Sequence, residues 1–295
     1  MGWIAWATLG YFLNAIAVAV DKALLGQRGM KDPAVYTILI ATLGLFVFVL
    51  APFGLERPTA ASLTWGVLSG VFFTLGLWSM FTVLGRGEAS RVPAFIGSLN
   101  PLFVFLGSFL FLSERLNTLE AVAFALLVGG GLLMVGGHGG LGRRDLFLAV
   151  ASSAAFGIAF VLLKLTFSET NFISGLVWSR LGGFLAALAL FLVPGTWSDL
   201  RLSFSAGGKV QLAFVGGQLA GATAGLLNSY AITLASVTLV NALQGVQYVF
   251  LLIMAALVSF RWPQLFHDEF SPAVAGRKIG GTLLIVGALW LLSVA

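Results

Sequence analysis

An arginine deep in an apolar run is expensive unless it meets an anion or reaches water, and Arg180 stands about seven residues inside such a run, 173–194. Its planar fork suits a carboxylate or phosphate, while its stem could also snorkel to an interface or bring it to Glu169. A second candidate group lies between 238 and 260. Asn241, Gln244 and Tyr248 fall at i, i+3 and i+7, which places them on one helical face, and Gln247 is adjacent. Amides donate and accept without a permanent charge, so such a stripe can bind a zwitterion or polyol, or simply hold helices together at roughly 1 kcal/mol per bond. Near the N-terminus Tyr11, Asn14 and Asp21 share a face by the same spacing argument. Asp21 is the credible carboxylate within a span and the first candidate for proton coupling; Glu114 and Lys164 come after it. Glu114 also reads as a helix-start anion at a turn. Tyr36, Trp78, Phe95 and Trp178 could form stacking walls, although at 13% aromatic residues most such side chains serve packing or anchoring.

The elements that must position these groups are membrane helices. Of 295 residues 59% are hydrophobic and 9% charged, and the mean hydropathy is +1.02, more apolar surface than one soluble core hides. Only an internally bonded backbone survives in hydrocarbon, and crossing it takes roughly 20 helical residues. Ten spans are expected, at 3–24, 34–54, 62–84, 92–112, 118–136, 146–167, 173–194, 210–234, 238–260 and 277–294. The first begins at Gly2 with no preceding cation, so it is expected to stay as a helix rather than a cleaved signal. Extended loops are expected only at 136–144 and 261–276. The absence of cysteine excludes disulfides, thiolate metal sites and cysteine catalysis, and His138 and His267 lie in loops where no histidine-rich metal site assembles.

Two copies of five helices insert in opposite directions, and the halves 1–136 and 145–295 align weakly in that way. A shift of 142 carries Lys22 to Lys164 and Tyr36 to Trp178; a shift of 146 carries Ala89-Ser90 to Ala235-Ser236. The expected architecture is all-α, ten transmembrane helices as two inverted five-helix repeats around a central polar cavity. The almost purely aliphatic spans 118–136 and 277–294 are expected at the periphery, packing the bundle or a homodimer.

The stretch Asn100-Pro101-Leu102-Phe103 through Ser113-Glu114-Arg115-Leu116 to Gly129-Gly130-Gly131 resembles the fourth and fifth helices of EamA-type carriers of the drug/metabolite transporter (DMT) superfamily. In the second half Gln247 stands where the repeat would put Pro101, and Trp262 to Glu269 enlarges the corresponding turn. The resemblance implies export of a small amino acid or related metabolite, by facilitated movement or proton exchange. It also implies both termini inside. The charges of this chain argue otherwise: twelve of its sixteen Lys and Arg, among them Lys22, Arg28, Arg86, Arg91 and Arg261, lie on the side reached after the odd-numbered spans, which puts both termini outside.

No GxxxxGK for a pump, no GxSG or GxGD for an intramembrane protease, and no charge ring for a channel is present. A secondary metabolite transporter working by alternating access is therefore expected, with a lipid or lipid-linked-sugar flippase and a non-transporting scaffold as rivals. It is expected to be no enzyme, to need no cofactor or metal, to engage a small-molecule substrate and the lipid bilayer but no nucleic acid, and to be multi-pass in the plasma or inner membrane.

Overall fold

The computed structural model describes residues 2–25, 27, 30–85, 91–135, 142–205, 207–259 and 272–294. Arg28, Arg86, Ala89, Ser90, His138, Arg261 and the turn from Trp262 to Glu269 lie outside them, and the side chains of Arg91, 93–94, 135, 255–259 and 272–275 are likewise not described. Among the described residues all regular structure is helical. The helices are α1 (Gly2–Leu25), α2 (Pro33–Gly44, continued by a 3-10 segment, Leu45–Phe53), α3 (Ala60–Leu84), α4 (Arg91–Phe111), α5 (Thr118–Val135), α6 (Arg143–Glu169), α7 (Phe172–Ala189), α8 (Thr196–Phe204), α9 (Gly208–Leu234), α10 (Val237–Ala242), α11 (Gln244–Ser259) and α12 (Pro272–Val294).

Their starts follow from side chains that satisfy orphan backbone donors. Asp32 accepts from Val35 N at 2.8 Å with Pro33 in the first turn, Thr59 and Ser62 close a capping box on α3, and Asn171 accepts from Ser174 N at the head of α7. Eight helical units are long and apolar enough to cross a membrane; Phe95–Phe111 and Thr118–Met134, within the expected fourth and fifth spans, are apolar but shorter. Large apolar side chains such as Phe46 (72% exposed) and Leu192 (86%) face outward, as a hydrocarbon solvent permits and water would not.

Three expectations need correction. The span 34–54 is not one α-helix: from Leu45 it tightens into 3-10 geometry, and Pro52, which has no N–H and crowds the preceding turn, lies within that segment. The span 238–260 breaks at Leu243, so Asn241 belongs to α10 and Gln244 to α11; the single straight stripe does not exist. The link 195–209, expected as a short gap, contains α8.

Packing is dominated by α3 against α6 and α7, α1 against α9, α5 against α12, and α4 against α6. Glycine allows the closest of these. A side chain at Gly70 would strike the α7 backbone at Ser179 and Gly183, and one at Gly182 would strike the α3 backbone at Val67. Thr74 Oγ1 then reaches Gly183 O at 3.1 Å. Ser69 and Ser152 bond across to Ala159 O and Gly76 O, both at 2.8 Å, and join α3 to α6. By contrast α2 touches α9 at only a few residues, and the side chains of Tyr36, Phe214 and Arg180 lie between them. Helix α12 packs chiefly on α5, through Gly130 and Gly281, at the edge of the bundle.

Candidate transport site

Asp21, near the end of α1, accepts at Oδ1 from Tyr36 OH at 2.5 Å and from Gln218 Nε2 at 2.9 Å, tying α1, α2 and α9 at one end of the bundle. Tyr36 is held for this role by edge contacts with Phe81 and Phe214, at 4.9 and 5.4 Å between ring centres. The carboxylate is 8% exposed, so its two donors replace the water it has lost. Gln218 looks, from its neighbours Gly217 and Gly221, like a packing residue; the signal that identifies it is its position opposite Asp21 on an antiparallel helix, which no local pattern shows.

Arg180 lies deeper. Its guanidinium carbon is 5.4 Å from the centre of the Phe73 ring, a Cβ on Gly225 would fall 3.1 Å from its Nη2, and one on Gly44 would fall 3.5 Å from its Cδ. Phe73, Gly44 and Gly225 each lie near the middle of their spanning units, Ala60–Leu84, Pro33–Phe53 and Gly208–Leu234. The guanidinium is therefore at mid-depth, among α2, α3, α7 and α9, rather than at a headgroup layer. Glu169 does not pair with it, and among the described residues Arg180 has no hydrogen-bond or ion-pair partner. A cation over an aromatic face gains at most about 2 kcal/mol when desolvated, whereas stripping water from an ion costs several kcal/mol. Phe73 alone cannot hold this charge, so water or an anion must share the space. Along α9, Gln218 and Gly225 are seven residues apart, so the Asp21 group and Arg180 are separated by about 10 Å of helix.

The amides form a third group. Asn14 Nδ2 donates to Gln247 Oε1 at 2.8 Å, and Asn100 Nδ2 to Asn241 Oδ1 and Gln244 Oε1 at 3.3 and 3.2 Å. Asn241 Nδ2 bonds back to Val237 O, and Tyr11 OH donates to Val240 O at 3.0 Å. Gly97 of α4 leaves the room that Tyr248 OH and the Gln244 amide occupy. Asn241 is 1% exposed and Gln247 2%. These bonds join α1 and α4 to the broken α10–α11 pair at its break. Asn100, quoted above only as part of a motif, is central to this network. Trp78 packs with Ala34, Ile38, Ala187 and Leu190 between α2 and α7; Trp178 lies against Gly66 of α3 and its buried Nε1 has no partner. Phe95 packs in the apolar cluster around Tyr36.

Glu114 is not the helix-start anion of α5, which begins with reciprocal bonds between Asn117 and Glu120. It caps α10 instead, accepting from Ser236 Oγ at 2.9 Å, Val237 N at 3.2 Å and Thr238 Oγ1 at 3.2 Å. Lys164 Nζ donates to Ile232 O and Ala235 O at 2.6 and 2.9 Å, the last carbonyls of α9. The two ions therefore clamp opposite sides of the one turn that joins α9 to α10.

A solved crystal structure shares this fold across 98% of the chain and 96% of its own length, with a TM-score of 0.62 at 18% identity. No curated protein matches the sequence. Residues 1–136 match the model of the EamA-like transporter family. A bundle of apolar helices and that match agree in kind: over residues 1–136, a little under half of its length, the chain is similar to the EamA-like transporter family, and its helices are those of a multi-pass membrane protein.

Proposed function

We infer that the chain is a secondary transporter that exports a small amino acid or related polar metabolite across the plasma membrane by alternating access, with two inverted five-helix repeats, 1–136 and 145–295. The observation that carries this reading is an asymmetry in otherwise exchangeable packing. If α1 to α5 correspond in order to α6, α7, α9, α10–α11 and α12, then α1–α9 mirrors α6–α3, α4–α6 mirrors α11–α1, and α2–α7 and α5–α12 mirror themselves; all of these pairs are in contact. The largest departure from this symmetry lies in one pair. Helices α3 and α7 are in close contact along their length, whereas their mirror, α9 and α2, touch at only a few residues. Exchanging the two arrangements converts one end of the pathway from closed to open, which is what inverted repeats are suited to do.

On this reading the pathway runs between α2 and α9. Tyr36 and Arg180 line it, Trp78 and Trp178 border it through α3 and α7, and Asn14, Asn241, Gln244, Gln247 and Tyr248 form its wall on the other side. Asp21 is the coupling carboxylate, because neutralising it weakens the bonds that tie α1, α2 and α9. Glu114 and Lys164 hold the α9–α10 turn against which these movements occur. Homodimers, if formed, use the outer faces of α5 and α12. The test is uptake by proteoliposomes containing the full chain, challenged with a mixture of labelled amino acids and polar metabolites. Saturable flux above that of protein-free vesicles is expected. Lipid scrambling without metabolite flux would assign a flippase, and neither activity would leave a scaffold.

A further inference from the structure

Arg180 is the one described cation at mid-depth whose charge the protein leaves unanswered. Lys164, the other basic side chain within the apolar profile, is bonded to the carbonyls of Ile232 and Ala235 at the end of α9, seven and ten residues from Gly225 and so about 10 to 15 Å away along that helix. One guanidinium offsets one negative charge. A dianion such as a phosphate monoester would leave an excess charge at the bilayer's centre, with no second cation among the described residues to meet it. The guanidinium carbon lies over the Phe73 ring, 5.4 Å from its centre, and the N–H groups of the fork lie in its own plane, the geometry that two carboxylate oxygens match. The neighbours are glycines. At Gly225 a methyl group would come within 3.1 Å of Nη2, tighter than ordinary contact, whereas at Gly44 it would lie at an ordinary 3.5 Å from the stem.

We propose that Arg180 is the charge-selecting group of the transport site, that it docks a single carboxylate of the transported molecule edge-on at mid-depth, and that Gly225 is the specificity-determining neighbour that leaves the fork its place. This rests on the carrier reading, and it narrows the cargo to small carboxylate monoanions and zwitterions. Neutral and purely cationic molecules find nothing there to offset the arginine.

The experiment uses the full chain in liposomes and phenylglyoxal, an arginine-directed reagent, with the rate of modification at Arg180 read by mass spectrometry and the exposed Arg57 as internal control. The probes are acetate, its neutral counterpart acetamide, and inorganic phosphate, at equal concentrations. Acetate is expected to slow modification of Arg180 by about fivefold or more, acetamide and phosphate to leave it near the unprotected rate, and Arg57 to be indifferent to all three. Gly225→Ala should abolish the acetate effect and Gly44→Ala should keep it. Equal rates in acetate and acetamide would overturn the proposal. So would stronger protection by phosphate, which would assign a phosphate site, and so would an Arg180 that never reacts, since a transport site must be reached from water. Metabolite flux in the same liposomes separates the two ideas: flux without acetate protection removes the carboxylate site and leaves the carrier, and protection without flux does the reverse.

Discussion

At the level of single residues, two charges carry the account, and each has a variant that distinguishes its role. Arg180→Lys keeps the charge but loses the fork, so apparent substrate affinity in liposome uptake should fall about tenfold, the equivalent of one good charge-assisted hydrogen bond, with Arg180→Gln worse and expression of both normal. Unchanged affinity in both would show that the guanidinium does not touch the cargo. Asp21→Asn keeps the shape of the Tyr36 and Gln218 contacts but removes the ionisable group. Uptake should continue while its response to an imposed pH gradient disappears; a retained response would place coupling elsewhere. Both residues were legible in the sequence because an ion inside an apolar run is rare enough to be noticed. Their partners were not. Gln218 lies 197 positions from Asp21, and Phe73 and Gly225 have no local feature that points to Arg180, so only the fold could supply them.

Among helices, the sequence located ten apolar runs within a few residues because length and hydropathy decide them. It missed the two interruptions for a physical reason: a 3-10 tightening from Leu45 and a break at Leu243 leave the composition as apolar as before. Glu114 stands out in the sequence, yet its place in the chain points to the wrong helix. The nearest chain direction suggested α5, whereas its acceptor oxygens meet donors of Ser236, Val237 and Thr238, more than 120 positions away. Glu114→Ala should therefore act on α10, leaving the Val237 N–H and the Ser236 hydroxyl without their acceptor, while the Ser236 cap on Leu239 N and the Thr238–Ser108 contact remain; a loss of about 2 kcal/mol in stability is expected, seen as a lower melting temperature in detergent. A melting temperature equal to that of the parent would show the cap to be idle. The α3–α7 seam allows a second test. Gly70→Val forces side-chain atoms into the α7 backbone, so it should either unfold the protein or drive α3 and α7 apart. Gly129→Val, where nothing lies within 4 Å of an added Cβ, should do neither, and equal behaviour of the two variants in thermal unfolding would refute the close approach.

For the molecule as a whole, the central claim is that two nearly equivalent helix pairs, α3–α7 and α2–α9, exchange tight and loose packing. The chain contains no cysteine, so spin labels can be placed on introduced cysteines without further changes. The pairs Leu75 with Leu185, for α3–α7, and Thr42 with Leu219, for α2–α9, are all on exposed surfaces. Distances between each pair, measured by pulsed electron resonance in lipid nanodiscs with and without a pH step, report the exchange directly. Each pair should show two distances, and conditions that shorten Thr42–Leu219 should lengthen Leu75–Leu185. A single fixed distance in both pairs, or two that lengthen and shorten together, in protein that still transports, would contradict the account.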